Sequence, residues 1–204
     1  MRMKIDTVIF DLGNVLVDWN PANLYKKIVA DEAERNHFLQ NICSMEWHTL
    51  QDGGRSPEEG TAELVKQFPE HETAIRAFYD RWEEMFDGAI EGSVTILKEV
   101  KEAGYKVYAL SNWNSELFQR TLPHFPFMNW FDGKIISSEE AMKKPDENIY
   151  HLLFDRFSID PENAVFIDDN KDNIATAKRL GLHGILFTSP ADLRNNLQTL
   201  KILT

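Results

Sequence analysis

The stretch DTVIFDL at residues 6–12 decides the fold class of this protein. It is a short apolar run that stops at a carboxylate, which is typical of a fully buried strand in a parallel sheet. Two later stretches share this design, YKVYALSN at residues 105–112 and NAVFIDDN at residues 163–170. GILFTS at residues 184–189 is a fourth candidate strand, and KIIS at residues 134–137 is a shorter fifth. These five runs predict the strands of a buried parallel sheet.

Helical patterns lie between the predicted strands. Ser93 is expected to cap the helix VTILKEVKEAG, which ends at Gly104. Pro145 and Asp146 open the helix ENIYHLLFDRF, and the helix DNIATAKRLG ends at Gly181. Helices and strands therefore alternate in the second half of the chain. This alternation predicts an α/β fold with a Rossmann-like, doubly wound parallel sheet and right-handed crossovers.

The first predicted strand is separated from the others by a long helical block. Residues 17–91 show helical periodicity and no convincing strand. A connection of this length is usually functional, so we predict a helical cap at 17–91 and a Rossmann-like core at 1–16 and 92–204. The alternative is a crossover of several helices without a role.

The chain is acidic, and its composition excludes several classes of protein. Its 204 residues include 22 Lys and Arg against 33 Asp and Glu, a net charge of −11. Hydrophobic residues make up 43%, which excludes a disordered chain. So acidic a chain lacks the excess of positive charge that is typical of nucleic-acid-binding proteins. It also repels anionic substrates at long range. A phosphate site must then be made locally by a metal, a lysine or backbone amides.

No membrane segment, signal peptide or disulfide is predicted. No apolar run approaches the roughly 18 residues that a membrane span needs. The N-terminal sequence MRMKIDTVIF lacks the long apolar region of a signal peptide. Cys43 is the one cysteine, so an intrachain disulfide cannot form. We therefore expect a cytoplasmic protein without a membrane partner.

Side chains that can perform chemistry follow three of the predicted strands. Asp11 follows the first strand and can act as a nucleophile, a metal ligand or a helix cap. Ser111 and Asn112 follow another strand, and either cap a helix or hold a phosphoryl oxygen. Asp168 and Asp169 follow a third strand. In doubly wound sheets, ligands bind at the carboxyl ends of strands, so these groups are expected to meet.

The pair Asp168–Asp169 and the lysine Lys144 suggest what the site binds. Two adjacent carboxylates at a buried strand end are costly unless positive charge lies between them. Mg²⁺ meets that need, because it takes one or two carboxylates together with water and substrate phosphate. Lys144 is either a solvated lysine or a point charge that Pro145 places at a helix start. The sequence thus favours a magnesium and phosphate site.

Four motifs in this order resemble the haloacid dehalogenase-like hydrolase superfamily. They are FDLGNVL at residues 10–16, LSN at 110–112, KKPD at 143–146 and VFIDDNKDNI at 165–174. The resemblance covers nearly the whole chain. The segments VDWNP and WHTLQDGGRS also resemble small-capped bacterial phosphatases of this superfamily, a group that includes an α-glucose-1-phosphate phosphatase.

The resemblance implies a magnesium-dependent phosphatase. Asp11 would attack phosphorus and form an aspartyl-phosphate. Mg²⁺ would be held by Asp11, the Gly13 carbonyl and Asp169, with Asp168 supporting it directly or through water. The implied partner is a small phosphorylated metabolite, for example a sugar phosphate such as glucose 1-phosphate.

The resemblance also assigns the groups that hold the phosphoryl oxygens. Ser111 and Lys144 would contact them, and Asn112 would assist. Asn173 would orient the groups that lie behind the metal ligands. Positioning and charge neutralisation account for most catalysis of phosphoryl transfer, so these assignments agree with the residue types.

The sequence departs from the family pattern at Gly13. Phosphatases of the superfamily usually have a second aspartate there, which acts as a general acid and base. Three consequences of the missing aspartate remain open. The enzyme is slow, a residue of the cap such as His48 donates the proton, or the substrate has a leaving group that needs little protonation. His48 is otherwise a surface or packing residue, and Trp47 and Trp19 either pack between cap and core or face a sugar.

Two other functions remain possible from the sequence. A metal-independent 2-haloacid dehalogenase also lacks the second aspartate, although two carboxylates at residues 168–169 would repel its carboxylate substrate. A binding or regulatory homologue with weak catalysis is the third option, which Gly13 favours and the intact Asp11, Lys144 and Asp169 oppose. The sequence leaves the oligomeric state open.

Overall fold

A central parallel sheet organises the protein, whose computed structural model describes residues 5–204. The strands of the described chain are β1 (Thr7–Phe10), β2 (Val17–Trp19), β3 (Phe86–Ala89), β4 (Lys106–Ser111), β5 (Gly133–Ile136), β6 (Ala164–Asp168) and β7 (His183–Leu186). Five of them form a sheet in the order β5-β4-β1-β6-β7, and every neighbouring pair is parallel. All five predicted strands are confirmed.

Helices cover both faces of this sheet. In chain order they are α1 (Pro21–Ile28), α2 (Glu32–Asn41), α3 (Met45–Asp52), α4 (Pro57–Gln67), α5 (Glu72–Asp80), α6 (Glu91–Glu102), α7 (Ser115–Thr121), α8 (Ser137–Glu140), α9 (Glu147–Phe157), α10 (Lys171–Arg179) and α11 (Pro190–Thr199). The alternation of helices and strands after β3 matches the sequence pattern. The predicted α/β, Rossmann-like doubly wound fold is therefore confirmed.

Most of the predicted helix ends are observed. Asp146 caps α9, since its carboxylate accepts a hydrogen bond from the Asn148 amide at 2.9 Å. Gly104 and Gly181 follow α6 and α10 with φ of +89° and +95°. Because a residue with a Cβ rarely adopts this left-handed conformation, glycine ends both helices.

The predicted cap at Ser93 is wrong. The helix α6 begins at Glu91, three residues before the predicted start at Val94, and Ile90 occupies the capping position. Ser93 lies inside the first turn and is fully buried, and its hydroxyl has no hydrogen-bond partner within residues 5–204. The Ile90 amide donates to the Leu16 carbonyl at 2.8 Å, and this long-range bond sets where the helix starts.

The core lies on the two sides of the sheet, and β1 contributes to both. Val8 and Phe10 point into one apolar cluster, and Ile9 points into the other. All three side chains are fully buried. Burial of each such side chain stabilises the fold by roughly 1.5–3 kcal/mol, so this strand anchors the residue that follows it, Asp11.

The segment 17–91 is helical but also contains the two strands β2 and β3. They form an antiparallel pair that joins the two ends of the segment. The prediction that this segment has no strand is therefore wrong. Each strand has only three or four residues and pairs with a partner about seventy residues away, so no local period reveals it.

The helices of this segment share one apolar cluster with a face of the sheet. Leu24, Phe78 and Trp82 are buried together with side chains of β1 in that cluster. The division into a core and a cap remains a prediction, and residues 1–4 of the predicted core lie outside the described residues. In the described residues, no helix is both long enough and apolar enough to span a bilayer.

Candidate active site

The carboxyl ends of three neighbouring strands meet beside one cavity of about 200 Å³. Asp11 follows β1, Ser111 ends β4 and Asp168 ends β6. Lys144 reaches the same place from the loop before α9. Asp11, Lys144 and Asp169 line the cavity, while Ser111 and Asp168 lie behind this lining. The predicted meeting of the strand ends is therefore observed.

Three donors converge on one carboxylate oxygen of Asp11. Its Oδ1 accepts hydrogen bonds from the Leu12 amide at 2.7 Å and the Ser111 hydroxyl at 2.8 Å. The Lys144 Nζ lies 3.0 Å from the same oxygen. Among the described residues, no hydrogen bond reaches the other oxygen, Oδ2. Its lone pairs are therefore available to a substrate or a cation.

The Lys144 ammonium is buried and has three oxygen atoms around it. Besides Asp11, its Nζ contacts the Leu110 carbonyl and Asp168 Oδ2, each at 2.7 Å. An ammonium has three hydrogens, so these partners match its full capacity. Burial alone would lower the pKa of Lys144, but the charges of Asp11 and Asp168 outweigh burial and raise it. The side chain is a fixed positive charge beside Asp11.

Asp168 holds Lys144 in place. Its Oδ1 accepts from the Asn170 amide at 2.8 Å, and both of its oxygens lie 3.0 Å from the Asn173 side-chain nitrogen. Asp168 is fully buried and its oxygens are engaged by these donors and by Lys144. Asn173 therefore orients Asp168, and Asp168 in turn binds the Lys144 ammonium.

The site carries more negative than positive charge. Asp11, Asp168 and Asp169 each offer an oxygen atom, and these atoms lie within 4.8 Å of one another. One ammonium, that of Lys144, offsets these three carboxylates. Such crowded carboxylates need further positive charge, and a hard cation such as Mg²⁺ prefers oxygen ligands. The residues present therefore fit a divalent magnesium ion.

Burial, together with this excess of negative charge, raises two pKa values in the site. Burial first, and then the charges of Asp168 and Asp169, raise the pKa of Asp11 to about 7 against the opposing effect of Lys144. Asp169 lies at the exposed rim of the site. Desolvation of its carboxyl and repulsion from Asp168 nevertheless raise the pKa of Asp169. A bound cation would favour the ionised form of both groups.

Asn112 braces the backbone of Lys144. Its side-chain nitrogen donates to the Lys144 carbonyl at 2.9 Å, and its side-chain oxygen accepts from the Lys144 amide at 2.8 Å. The sequence did not suggest this double contact across 32 residues. Asn112 also lines the cavity and has a second amide hydrogen, so its contact with a phosphoryl oxygen stays a prediction.

The turn after Asp11 uses an unexpected residue for its left-handed conformation. Asn14 has a φ of +55°, whereas Gly13 is not in the positive-φ region. A Cβ built on Gly13 meets no atom within 4 Å. The Asn14 side-chain oxygen accepts from the Trp19 amide at 3.2 Å, which secures the turn. Position 13 therefore has room for a side chain.

His48 is a packing residue that also faces the cavity. Its ring stacks on Trp19 with centroids 5.1 Å apart, and its Nδ1 lies 3.1 Å from the Tyr79 hydroxyl. Burial lowers the pKa of His48, against the opposing effect of Asp52. Of the two predicted tryptophans, Trp19 lines the cavity, while Trp47 packs away from it and donates to the Gly60 carbonyl at 3.1 Å.

Sequence reasoning missed several residues that line the cavity, namely Asn14, Met45, Thr49, Asp52, Trp82, Trp113 and Asn170. Most come from helical or loop segments whose local pattern predicts only surface or packing. The sequence contains a weak indication for Asp52, because it lies one helical turn after the candidate residue His48 and so on the same face of the helix. A larger cavity of about 650 Å³ lies along α5 and contains none of the predicted site residues.

A protein-family model for haloacid dehalogenase-like hydrolases matches residues 5–181. The chain therefore belongs to the haloacid dehalogenase-like hydrolases. The predicted family is confirmed, and with it the assignment of the protein as a hydrolase.

Named relatives cover most of the chain. A sesquiterpene phosphatase, astK, from Aspergillus oryzae (strain ATCC 42149 / RIB 40) is 26% identical over 191 residues, which is 92% of each chain. A phosphorylated carbohydrates phosphatase from Thermotoga maritima is 25% identical over 191 residues, 89% of this chain and 84% of that protein. The chain spans only 36% of the drimenol cyclase drtB of Aspergillus calidoustus, at 26% identity.

Solved structures have the same fold. A haloacid dehalogenase family enzyme from Bacteroides thetaiotaomicron, in complex with magnesium and inorganic phosphate, superposes with a TM-score of 0.70 and 25% identity. The alignment covers 91% of this chain and 95% of that one.

Proposed function

We propose that this protein is a magnesium-dependent phosphatase that hydrolyses a small phosphate monoester through an aspartyl-phosphate on Asp11. The observation that carries the proposal is the arrangement at Asp11. Three donors hold its Oδ1, its Oδ2 accepts no hydrogen bond in the described residues, and Asp11 lines a cavity together with Lys144 and Asp169. A carboxylate held in this way is positioned as a nucleophile.

The chain's own groups supply orientation and charge. Ser111 and Lys144 fix the Asp11 carboxylate, so that Oδ2 attacks phosphorus in line with the leaving oxygen. The phosphoryl oxygens would bind beside these two side chains. In the second step water attacks phosphorus and the Asp11 carboxylate departs. Asp168 binds the Lys144 ammonium and Asn112 binds the Lys144 backbone, so both ends of this residue are fixed.

Asp11, Asp169 and the Gly13 carbonyl would hold the magnesium ion, with Asp168 behind them. When bound, Mg²⁺ supplies positive charge that offsets the charge developing on the phosphoryl oxygens. The clustered carboxylate oxygens support this assignment. The magnesium in the Bacteroides thetaiotaomicron enzyme of the same fold is consistent with it.

The proposed substrate is a small sugar phosphate such as glucose 1-phosphate. The cavity of about 200 Å³ is smaller than the roughly 300–1,000 Å³ of sites for drug-sized ligands. Trp19, Trp82 and Trp113 contribute to its wall, and indole rings bind the apolar faces of sugars. The Thermotoga maritima relative, a phosphatase of phosphorylated carbohydrates, supports the same substrate class.

One activity screen tests this function. We expect release of inorganic phosphate from a panel of phosphate monoesters with Mg²⁺, and loss of that release with a chelator. Short 2-haloacids should release no halide under either condition. Halide release that survives the chelator would indicate the dehalogenase reaction, and no turnover on any substrate would indicate a binding protein.

Asp169→Ala should make the activity depend on much higher magnesium concentrations. The cation loses an anionic ligand, so we expect kcat/KM at limiting Mg²⁺ to fall by at least about 10²-fold. A titration of activity and of magnesium affinity against Mg²⁺ measures the effect. Asp172→Ala is the matched control, because Asp172 is an exposed acid three residues away that does not line the cavity. An unchanged magnesium dependence in Asp169→Ala would contradict the metal assignment.

A further inference from the structure

Gly13 leaves the proposed reaction without its usual proton donor. General acid help is worth roughly 10²–10⁴-fold when an alkoxide leaves phosphorus. The titratable side chains that line the cavity are Asp11, His48, Asp52, Lys144 and Asp169. The nucleophile, the phosphate-binding lysine and the metal ligand account for three of them. His48 and Asp52 are the two without a role.

His48 is poorly suited to donate a proton. Its ring is packed against Trp19 and Trp82, and its Nδ1 already contacts the Tyr79 hydroxyl. Burial lowers its pKa, so the imidazole is neutral near pH 7. A neutral imidazole is a weak acid, and the proton has to come from another group.

Asp52 has the features of a carboxylic acid held in its neutral form. It ends α3 and is only 5% exposed. Its Oδ1 has no hydrogen-bond partner in the described part of the chain, and His48 Nε2 is 3.9 Å away. A buried carboxylate anion with one oxygen left without a hydrogen bond is costly, which favours the protonated acid. Burial accordingly raises the pKa of Asp52, although the charges of His48 and Lys143, a hydrogen bond from the Asn114 backbone and the charge of Lys144 oppose the rise.

Hydrogen bonds fix the end of α3 beside the catalytic loops. The Ser137 hydroxyl donates to the Asp52 carbonyl at 2.6 Å and accepts from the Trp113 amide at 2.9 Å. The Lys143 ammonium donates to the Thr49 carbonyl at 3.2 Å. These bonds fix the position of Asp52 relative to Trp113, which lies two residues after Ser111, and to Lys143, which precedes Lys144.

We infer that Asp52 is the general acid and base of this enzyme. The inference rests on the proposed phosphatase function. As Asp11 Oδ2 bonds to phosphorus, the bond from phosphorus to the leaving oxygen breaks, and its electron pair goes to that oxygen. The leaving oxygen takes the proton of Asp52 and departs as an alcohol. Water then gives a proton to the Asp52 carboxylate while its oxygen bonds to phosphorus, and the Asp11 oxygen leaves with its electron pair.

Asp52→Asn separates this role from a structural one. With glucose 6-phosphate, whose leaving group is a primary alkoxide, kcat/KM should fall about 10²–10³-fold. With p-nitrophenyl phosphate, whose phenolate needs little protonation, the loss should be below about 5-fold. Glu46→Gln, an exposed acid on the same helix, is the matched control and should change neither rate. Equal losses on both substrates, or no loss on either, would overturn the inference.

A second-site rescue gives an independent test. Position 13 has room for a side chain, and a carboxyl there lies next to the nucleophile. Gly13→Asp combined with Asp52→Asn should recover at least about 10-fold of the lost rate on glucose 6-phosphate. No recovery by the folded double variant would count against proton donation as the missing function. Failure of the phosphatase proposal is distinguishable, because the unmodified protein would then turn over neither ester.

The pH dependence supplies a further readout. Asp52 must be protonated to act as an acid, so activity on glucose 6-phosphate should decline as pH rises through its raised pKa. Asp52→Asn should remove this decline. The charged or titratable neighbours His48, Lys143 and Lys144 remain in the variant. If the activity of the variant still declined with rising pH, the decline would come from one of these groups, and the assignment of Asp52 would be overturned.

Thermal stability shows whether Asp52→Asn folds. A carboxyl whose folded pKa is raised stabilises the fold least at high pH, because ionisation is penalised only in the folded state. The variant should therefore be folded, with a gain in Tm that is larger at pH 8 than at pH 5. A gain independent of pH, or a loss, would contradict a buried neutral acid at this position.

Discussion

Asp11→Asn is expected to lower kcat for every phosphate ester by at least about 10⁴-fold while the protein stays folded. The amide has nearly the shape of the carboxylate and can still accept from the Leu12 amide and the Ser111 hydroxyl. It is, however, a far poorer nucleophile. Lys144 keeps its contacts with Asp168 and the Leu110 carbonyl, so it remains paired.

Two measurements check this prediction. Steady-state phosphate release gives the loss of rate, and Tm shows that the fold is retained. Acid quenching of the unmodified enzyme with a phosphate-labelled ester should trap label on the protein, and hydroxylamine should remove it, since it cleaves acyl phosphates. The variant should trap none. Turnover within a few-fold of the unmodified enzyme would exclude Asp11 as the nucleophile.

Lys144→Met should have the largest effect on stability. It removes the cation between Asp11 and Asp168 and leaves both carboxylates buried without it. Breaking a buried pair by removing one partner costs about 3–5 kcal/mol of the free energy of unfolding. Activity should be lost as well, because the phosphoryl group loses its fixed positive charge. Urea unfolding without added magnesium measures the loss of stability.

Lys143→Met is the matched control for this loss. Lys143 is the neighbouring lysine, half-buried, and its described hydrogen bond is with the Thr49 carbonyl. Its loss should cost only about 1 kcal/mol. Adding Asp168→Asn to Lys144→Met should recover part of the stability, since one unpaired charge is then removed. Equal destabilisation by the two single lysine variants would show that the charge cluster is not what Lys144 stabilises.

The sequence was sufficient for the sheet because its strands are buried on both faces. Such strands appear as short apolar runs, and the residues after them, such as Asp11 and Asp168, come together at one edge. Lys144 could be predicted because Pro145 and Asp146 mark the helix start beside it. These signals are local, or follow from the general geometry of parallel sheets.

Contacts distant in sequence could not be predicted in this way. The strands β2 and β3 are too short to show a period, and each is stabilised by the other. The start of α6 depends on the bond between Ile90 and Leu16, so the local signal at Ser93 was misleading. The bracing of Lys144 by Asn112 likewise requires the folded loops.

The sequence by itself determined the α/β class, the strand-end carboxylates and the family. The tertiary structure alone decided which oxygen of Asp11 is free, that Gly13 has room for a side chain, and that Asp52 lines the same cavity. The physical reason is that strand and helix patterns arise from neighbouring residues. Burial and hydrogen-bond satisfaction depend instead on distant segments, and burial by such segments raises the pKa of Asp52.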